Sequence, residues 1–286
     1  MKSNPVLSKT VLVTGCSTGI GLATARLLRD KGWNVIPTAR KAEDMDRLRK
    51  EGFTPVVLDV ADGESVRRAA EEALRMTSGA LGALVNNAGF GQPGAIEDLT
   101  RDAMRYQFEV NVFGLQELTN RLMPVFHKQG YGRIVNVSSV LGRITIPFMG
   151  IYSASKHALE SMSDAMRVEL TGTGIAVSIV EPGPINTDFG KNALARSKEQ
   201  LPQVESRFKD QYKQKALERE KEQDKPHLFA LPPEAVALKI LHAIESPRPR
   251  RRYAVTFVAH VGAFMRRFLP DALMDILMGV KMSKSG

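Results

Sequence analysis

The sequence predicts an α/β fold: a Rossmann-type, doubly wound parallel sheet of about seven strands with helices on both faces. Three observations carry this expectation. Short apolar runs alternate with segments of helical period almost from the start of the chain. A glycine-rich turn follows the first apolar run and opens a helix. The chain has 286 residues and is 43% hydrophobic, enough for one substantial core. Residues 1–286 are therefore read as a single domain, with 190–232 as a lid over the site and 259–286 as an apolar C-terminal extension.

The elements follow in order. Thr10 to Thr14 is a short buried strand, and a helix covers about Ile20 to Lys31. Trp33 to Thr38 and Thr54 to Asp59 are the second and third strands, with helices near Glu43–Glu51 and Glu64–Thr77. Pro37 lacks an N–H for the sheet and is placed at a fraying strand end. Ala83 to Asn86 is a fourth strand, and one long helix runs from about Arg101 to Lys128. Gly132 to Ser138 and Ile175 to Glu181 are strands five and six, flanking a helix over roughly Ile151 to Thr171. A highly charged segment, Gly190 to about Lys225, then breaks the rhythm. It follows a strand's carboxyl end, where ligands bind in such sheets, and this favours a lid over a plain solvated helix. A helix starts near Pro232-Pro233, and a last strand lies near Tyr253–Val258. The apolar tail, Phe264 to Met278, breaks at Pro270.

Composition narrows the function. A net charge of +9 invites nucleic acid, but no zinc-finger spacing or aromatic RNA-binding signature accompanies it. An anionic cofactor with a basic surface accounts for the charge, and no nucleic-acid partner is expected. The single cysteine, Cys16, excludes an internal disulfide, and the five histidines lack metal-ligand spacing. No metal is expected, and the natural setting is the cytoplasm. No signal peptide is visible in Met1 to Thr10. The late uncharged stretch Tyr253 to Met265 has 13 residues, short of the ~20 that span a bilayer. Peripheral membrane contact through the tail, with Arg266 and Arg267, stays open.

Gly15, Gly19 and Gly21 would let the backbone approach a pyrophosphate at a helix N-terminus. Ser17 and Thr18 between them could touch phosphate or cap the helix. The end of the second strand decides the cofactor. An acid there would hold the 2′-hydroxyl of NAD, but the sequence reads Thr38-Ala39-Arg40-Lys41. Arg40, supported by Lys41, suits the 2′-phosphate of NADP(H), preferred here over NAD(H).

Tyr152 and Lys156 share one helical face at i and i+4. A tyrosine with a pKa near 10 becomes a usable base when an ammonium and an oxidised nicotinamide stand beside it. Ser138 and Ser139 end the fifth strand at the ligand edge, where a hydroxyl could hold a carbonyl as charge develops.

These motifs together resemble the short-chain dehydrogenase/reductase family across about residues 8–190. TGxxxGIG occurs at 14–21, NNAG at Asn86 to Gly89, the helical asparagine at Asn111, the serine at Ser139, YxxxK at Tyr152 and Lys156, and PG at Pro182-Gly183. The resemblance implies that Tyr152 transfers the proton, that Lys156 binds the nicotinamide ribose, and that Ser139 positions the carbonyl. It implies that Asn111 holds a relay water and Asp59, before Val60, touches the adenine. Ile20, Asn87, Ala88 and Gly89 would line the cofactor, with Pro182, Gly183, Ile185 and Thr187 near the carboxamide. Over its full length the chain looks similar to bacterial NADP-dependent aldehyde reductases, near the retinol- and 17β-hydroxysteroid-dehydrogenase-like branches. The family pairs through long helices, so a homodimer or homotetramer is expected.

Leu141, Phe148, Met149 and Phe189, with Phe90, flank the catalytic positions and are apolar. They favour a lipophilic aldehyde or ketone. A retinol- or hydroxysteroid-type dehydrogenase is the nearest alternative. A non-catalytic NADP-binding sensor is the alternative from another class, but it need not keep Tyr152, Lys156, Ser139 and Asn111 together.

Overall fold

The computed structural model describes residues 4–200, 205–214 and 229–279. Parts of the expected lid, and the end of the C-terminal extension, lie outside the described residues. Seven parallel strands form one sheet in the order β3-β2-β1-β4-β5-β6-β7. They are β1 (Thr10–Val13), β2 (Asn34–Ala39), β3 (Val56–Val57), β4 (Ala83–Asn86), β5 (Gly132–Val137), β6 (Ile175–Glu181) and β7 (Arg252–Ala254). The order reverses between β1 and β4, which opens a crevice at the carboxyl ends of those strands.

The strands are short and almost wholly apolar because helices cover both faces. On one face α1 (Gly19–Asp30) packs against α8 (Pro233–Glu245), and Leu28, Val236, Ile240 and Ile244 close the core over β1 and β5. On the other face α3 (Gly63–Met76) and α5 (Gly114–Gln129) contribute Val66, Ala70, Leu118, Leu122 and Phe126. Asp62 caps α3 by accepting from the Glu64 amide at 3.0 Å. The remaining helices are α2 (Ala42–Lys50), α4 (Arg101–Phe108), α6 (Gly150–Glu169), α7 (Phe189–Gln200), α9 (Phe257–Phe268) and α10 (Asp271–Gly279).

The structure departs from the sequence expectation at four places, each with a physical reason. Pro37 lies inside β2, paired with Val13, and not at a fraying end. Asn34 donates to Lys9 and Thr38 accepts from Cys16, so even positions face β1. Pro37 therefore faces the outer side, where pairing with β3 begins only at Thr38, and no donor is missed there. The third strand shrinks to Val56–Val57, because Pro55 stands before it at the sheet edge. The long helix is interrupted by a π turn at Glu109–Phe113, between α4 and α5. The last strand stops at Ala254, because Thr256 caps α9 by accepting from the Ala259 amide at 3.2 Å.

The C-terminal extension forms α9 and α10, broken at Pro270 as expected. Ala259 and Met274 pack inward, whereas Phe257, Phe264, Phe268 and Ile276 are exposed. No helix among the described residues is long and apolar enough to cross a membrane.

Gly114 marks the tightest approach between the two halves of the α3–α5 face. A Cβ there would sit 1.7 Å from the Val60 carbonyl oxygen. Alanine is ordinarily the better helix former by ~1 kcal/mol. Gly114→Ala should nevertheless cost roughly 2–4 kcal/mol in urea unfolding, and an unchanged midpoint would show that this contact is not tight.

Candidate active site

The glycine-rich turn leaves β1 at the crevice. Gly15 and Gly19 take φ values of +70° and +58°, where a side chain is strained. Gly21 allows the closest approach: a Cβ there would meet the Gly15 carbonyl oxygen at 2.1 Å and Asn87 Nδ2 at 2.6 Å. Asn87 Nδ2 donates to the carbonyls of Thr14 (2.9 Å) and Gly15 (3.1 Å). Thr14 Oγ1 accepts from the Asn87 and Ala88 amides at 2.9 and 2.8 Å. Asn87 thus holds the turn open across the switch point. Thr18 is the N-cap of α1 but makes no side-chain cap bond, and the first turn carries no acid. The end of α1 therefore presents free N–H groups toward the turn, as a pyrophosphate requires. The Thr187 methyl would lie 3.1 Å from a Cβ on Gly19, so the chain after β6 roofs the cradle. Ile20 and Ile185 turn their side chains onto the core beneath.

At the adenosine end, Cys16 N donates to the Thr38 carbonyl at 2.8 Å, which sets the turn beside the end of β2. Arg40 stands there, exposed, 3.6 Å from the Asp59 carboxylate. Lys41 starts α2 and pairs loosely with Glu43. Such exposed pairs are weak and can yield to a ligand. Val60 is buried in the core. One further cation reaches this point: Arg47, from α2, donates to the Ser17 carbonyl. It was not legible in the sequence, because only the fold brings α2 back to the turn.

The residues expected to be catalytic meet at the ends of β4 and β5. Lys156 is buried and donates from Nζ to the Val137 carbonyl at 2.9 Å. Its Nζ lies 5.8 Å from the centre of the Tyr152 ring. A Cβ on Gly89 would be 3.1 Å from Asn111 Oδ1 and 3.7 Å from Lys156 Nζ, so these three groups converge. Asn111 lies in the π turn, and three hydrogen bonds hold its side chain. Nδ2 donates to Phe90 O (2.9 Å) and Ser155 Oγ (3.1 Å), and Oδ1 accepts from Phe90 N (3.0 Å). Ser139 Oγ accepts from the Leu141 amide at 3.1 Å and neighbours the Tyr152 hydroxyl. Ser138, by contrast, is buried against α6 near Glu160.

Burial sets the electrostatics. It pushes the Tyr152 phenol up to about 12, with the Ser139 hydroxyl pulling the other way. It brings Lys156 down to about 8, while the Glu160 carboxylate partly restores the ammonium. With no oxidised nicotinamide beside it, the phenol is therefore raised and not lowered. Both groups lose water, which disfavours the charged form of each. Glu160 is itself raised to about 7, by burial and then by Glu181 nearby. Arg252 bridges the two carboxylates at 3.1 and 3.2 Å, and Arg143 reaches Glu181 at 2.9 Å.

The apolar positions are divided by the structure. Phe189 packs on Tyr152 with ring centres 5.5 Å apart and the rings tilted at 56°, and Met149 is buried beside it. Phe148 faces Phe208 and Tyr212 at 5.4 and 5.5 Å. Leu141 packs with the Val140 and Ile144 cluster under α9. Phe90 does not line the cleft: its ring packs on Tyr106 at 5.4 Å and on the core. Pro182 accepts from the Val140 amide at 2.8 Å, and Gly183 gives way to Thr256, whose Oγ1 would be 2.1 Å from a Cβ.

The model of the short chain dehydrogenase family matches residues 9–198. The uncharacterized oxidoreductase YbbO of Escherichia coli (strain K12) is 42% identical over 278 residues, covering 96% of each chain. The NADPH-dependent 3-dehydrocapnine reductase of Ornithobacterium rhinotracheale is 33% identical, over 92% of this chain and 94% of that protein. Among solved structures, a short-chain dehydrogenase from Streptomyces avermitilis superposes with a TM-score of 0.74 at 32% identity, covering 95% and 96% of the two chains. The chain belongs to the short-chain dehydrogenase/reductase family and is an oxidoreductase that uses a nicotinamide cofactor. That cofactor carries the hydride when bound; the protein supplies the cradle, the tyrosine and the lysine.

The Lys156 shift has a measurable consequence for stability. Unfolded, the lysine holds its proton to about 10.5; folded, it releases it from about 8 upward. Between these values the unfolded chain binds more protons, so stability rises with pH. Relative to Lys156→Met, the wild type should gain up to about 3 kcal/mol across that window in urea unfolding. A constant difference between the two curves would contradict the assigned burial.

Proposed function

We propose that the protein is an NADP(H)-dependent carbonyl reductase whose substrate is a lipophilic aldehyde or ketone. The observation that carries the reading is the meeting of Tyr152, Ser139 and Lys156 beside a glycine cradle that ends at Arg40 and Arg47. Ser139 holds the carbonyl oxygen, Tyr152 gives it a proton as hydride arrives at carbon, and Lys156 holds the nicotinamide ribose. Asn111 Oδ1, which accepts from Phe90 N and converges with Lys156 Nζ beside Gly89, supports a water relay to Lys156. Phe189 and Met149 beside Tyr152 support an apolar substrate.

The preference for NADP(H) rests on Arg40, which stands where NAD-binding relatives of this fold place an acid, and on Arg47, which reaches the glycine turn at Ser17. The name of the Ornithobacterium relative, an NADPH-dependent reductase, supports the same reading. A nearby alternative in the same class, oxidation of retinol or a hydroxysteroid, uses the same residues in reverse.

An NADPH-oxidation screen across aldehydes, ketosteroids and retinal tests the substrate class. Tyr152→Phe should lower turnover of any substrate found by roughly 10²–10⁴-fold. Undiminished turnover would remove the mechanism, and activity confined to strongly polar carbonyls would remove the substrate class. Separately, Arg40→Ala should weaken NADP⁺ binding by about 10- to 100-fold and NAD⁺ binding far less, read by calorimetry. Equal losses for both cofactors would contradict the 2′-phosphate assignment.

A further inference from the structure

The segment 205–214 lies far along the chain from the catalytic motifs, yet it is fastened beside them. Asp98 is 8% exposed and, among the described residues, has no cation as partner. Its Oδ2 accepts instead from two hydroxyls of that segment, Ser206 Oγ at 2.6 Å and Tyr212 Oη at 2.5 Å. The Tyr212 oxygen also accepts from the Ala95 amide at 2.8 Å, and Ser206 Oγ accepts from the Phe208 amide at 2.9 Å. Burial and the Asp98 carboxylate hold the Tyr212 phenol up to about 12, so it remains a donor throughout the working range. A buried carboxylate needs donors; among the described residues they come from this segment.

The rings say what the fastening achieves. Phe208 and Tyr212 both set edges toward the Phe148 ring, at 5.4 and 5.5 Å. Phe148 has φ +66°, a conformation that bulky side chains rarely adopt. Such outliers persist where their surroundings hold them, and they gather at functional sites. Its carbonyl is held by the Gly94 amide at 2.9 Å, and Met149 pairs with Gly94 in a parallel bridge. Met149 and Phe189 in turn press on Gly91, where a Cβ would be 3.2 and 2.9 Å from them, and Phe189 packs on Tyr152. A continuous apolar wall therefore runs from the catalytic tyrosine to the fastened segment.

We propose that Asp98 is a positioning residue that clasps segment 205–214 beside Tyr152, so that Phe148, Phe208 and Tyr212 form an aromatic wall selecting carbonyl substrates with an extended apolar tail. The selection rests on the carbonyl-reductase reading above; the clasp itself rests on geometry alone. Asp98 touches neither cofactor nor substrate and acts through the segment it holds.

The test uses the full chain with two aldehydes, octanal and propanal, and two variants, Tyr212→Phe and Ser206→Ala. Each variant keeps the fold's apolar contacts and removes one hydroxyl. In Tyr212→Phe, the Ala95 amide should exchange with solvent about tenfold faster, since its acceptor is gone. The preference in kcat/KM for octanal over propanal should fall about tenfold in Tyr212→Phe and less in Ser206→Ala, mainly through the octanal KM. Unchanged Ala95 exchange would overturn the clasp. Equal losses for both aldehydes, or losses in kcat alone, would overturn the selective wall. A wild type that reduces neither aldehyde would overturn the selection, while Ala95 exchange would still decide the clasp; the carbonyl reading itself falls only if the wider NADPH-oxidation screen also finds no substrate.

Discussion

Everything at the site depends on the burial of the Lys156 ammonium at the end of β5. A lysine is seldom buried without a carboxylate in contact, and this one is held by the Val137 carbonyl at 2.9 Å. That bond fixes where its charge sits relative to Tyr152, Gly89 and Asn111. The acid that acts on it, Glu160, is one turn further along α6 and is occupied by Arg252. The ammonium is thus poised, with its charge weakened by lost water and left for a ligand's oxygens to restore.

The same burial explains why the tyrosine is inert on its own. Its phenol, 6% exposed beneath Phe189, is harder to ionise than a free one. The protein has arranged a proton donor that keeps its proton until an added positive charge arrives. This suits a catalyst that must not ionise while no cofactor is bound. The fold makes the arrangement possible by reversing strand order between β1 and β4, which puts the glycine cradle and the catalytic helix on one crevice.

Much of this was legible in the sequence, for definite reasons. β4, β5 and β6 are buried on both faces, so they read as mostly apolar runs with clear ends, interrupted by a few buried polar residues such as Asn136 and Ser178. Tyr152, Lys156, Ser139 and Asn111 were found by their order, and the structure brings them together. What was not legible depends on contacts distant in sequence. The π turn at Asn111 follows from packing, since nothing in EVNVF marks it. Pro37 looked wrong for an inner strand because the brevity of β3 could not be seen. Asp98 and Tyr212 are 114 positions apart, and nothing in the charged segment around Tyr212 marks the residue that fastens it. Phe90 was placed in the cleft by its neighbours in sequence, whereas its ring turns onto Tyr106.

The most direct test of the account is a titration of the Tyr152 phenol itself, by ultraviolet difference between the wild type and Tyr152→Phe. Without cofactor the account predicts ionisation only at high pH, near 12. With saturating NADP⁺ the midpoint should fall by two units or more, corresponding to about 3 kcal/mol of preferential stabilisation of the phenolate. A phenol that ionises near neutrality without cofactor, or one whose midpoint NADP⁺ leaves unmoved, would contradict it.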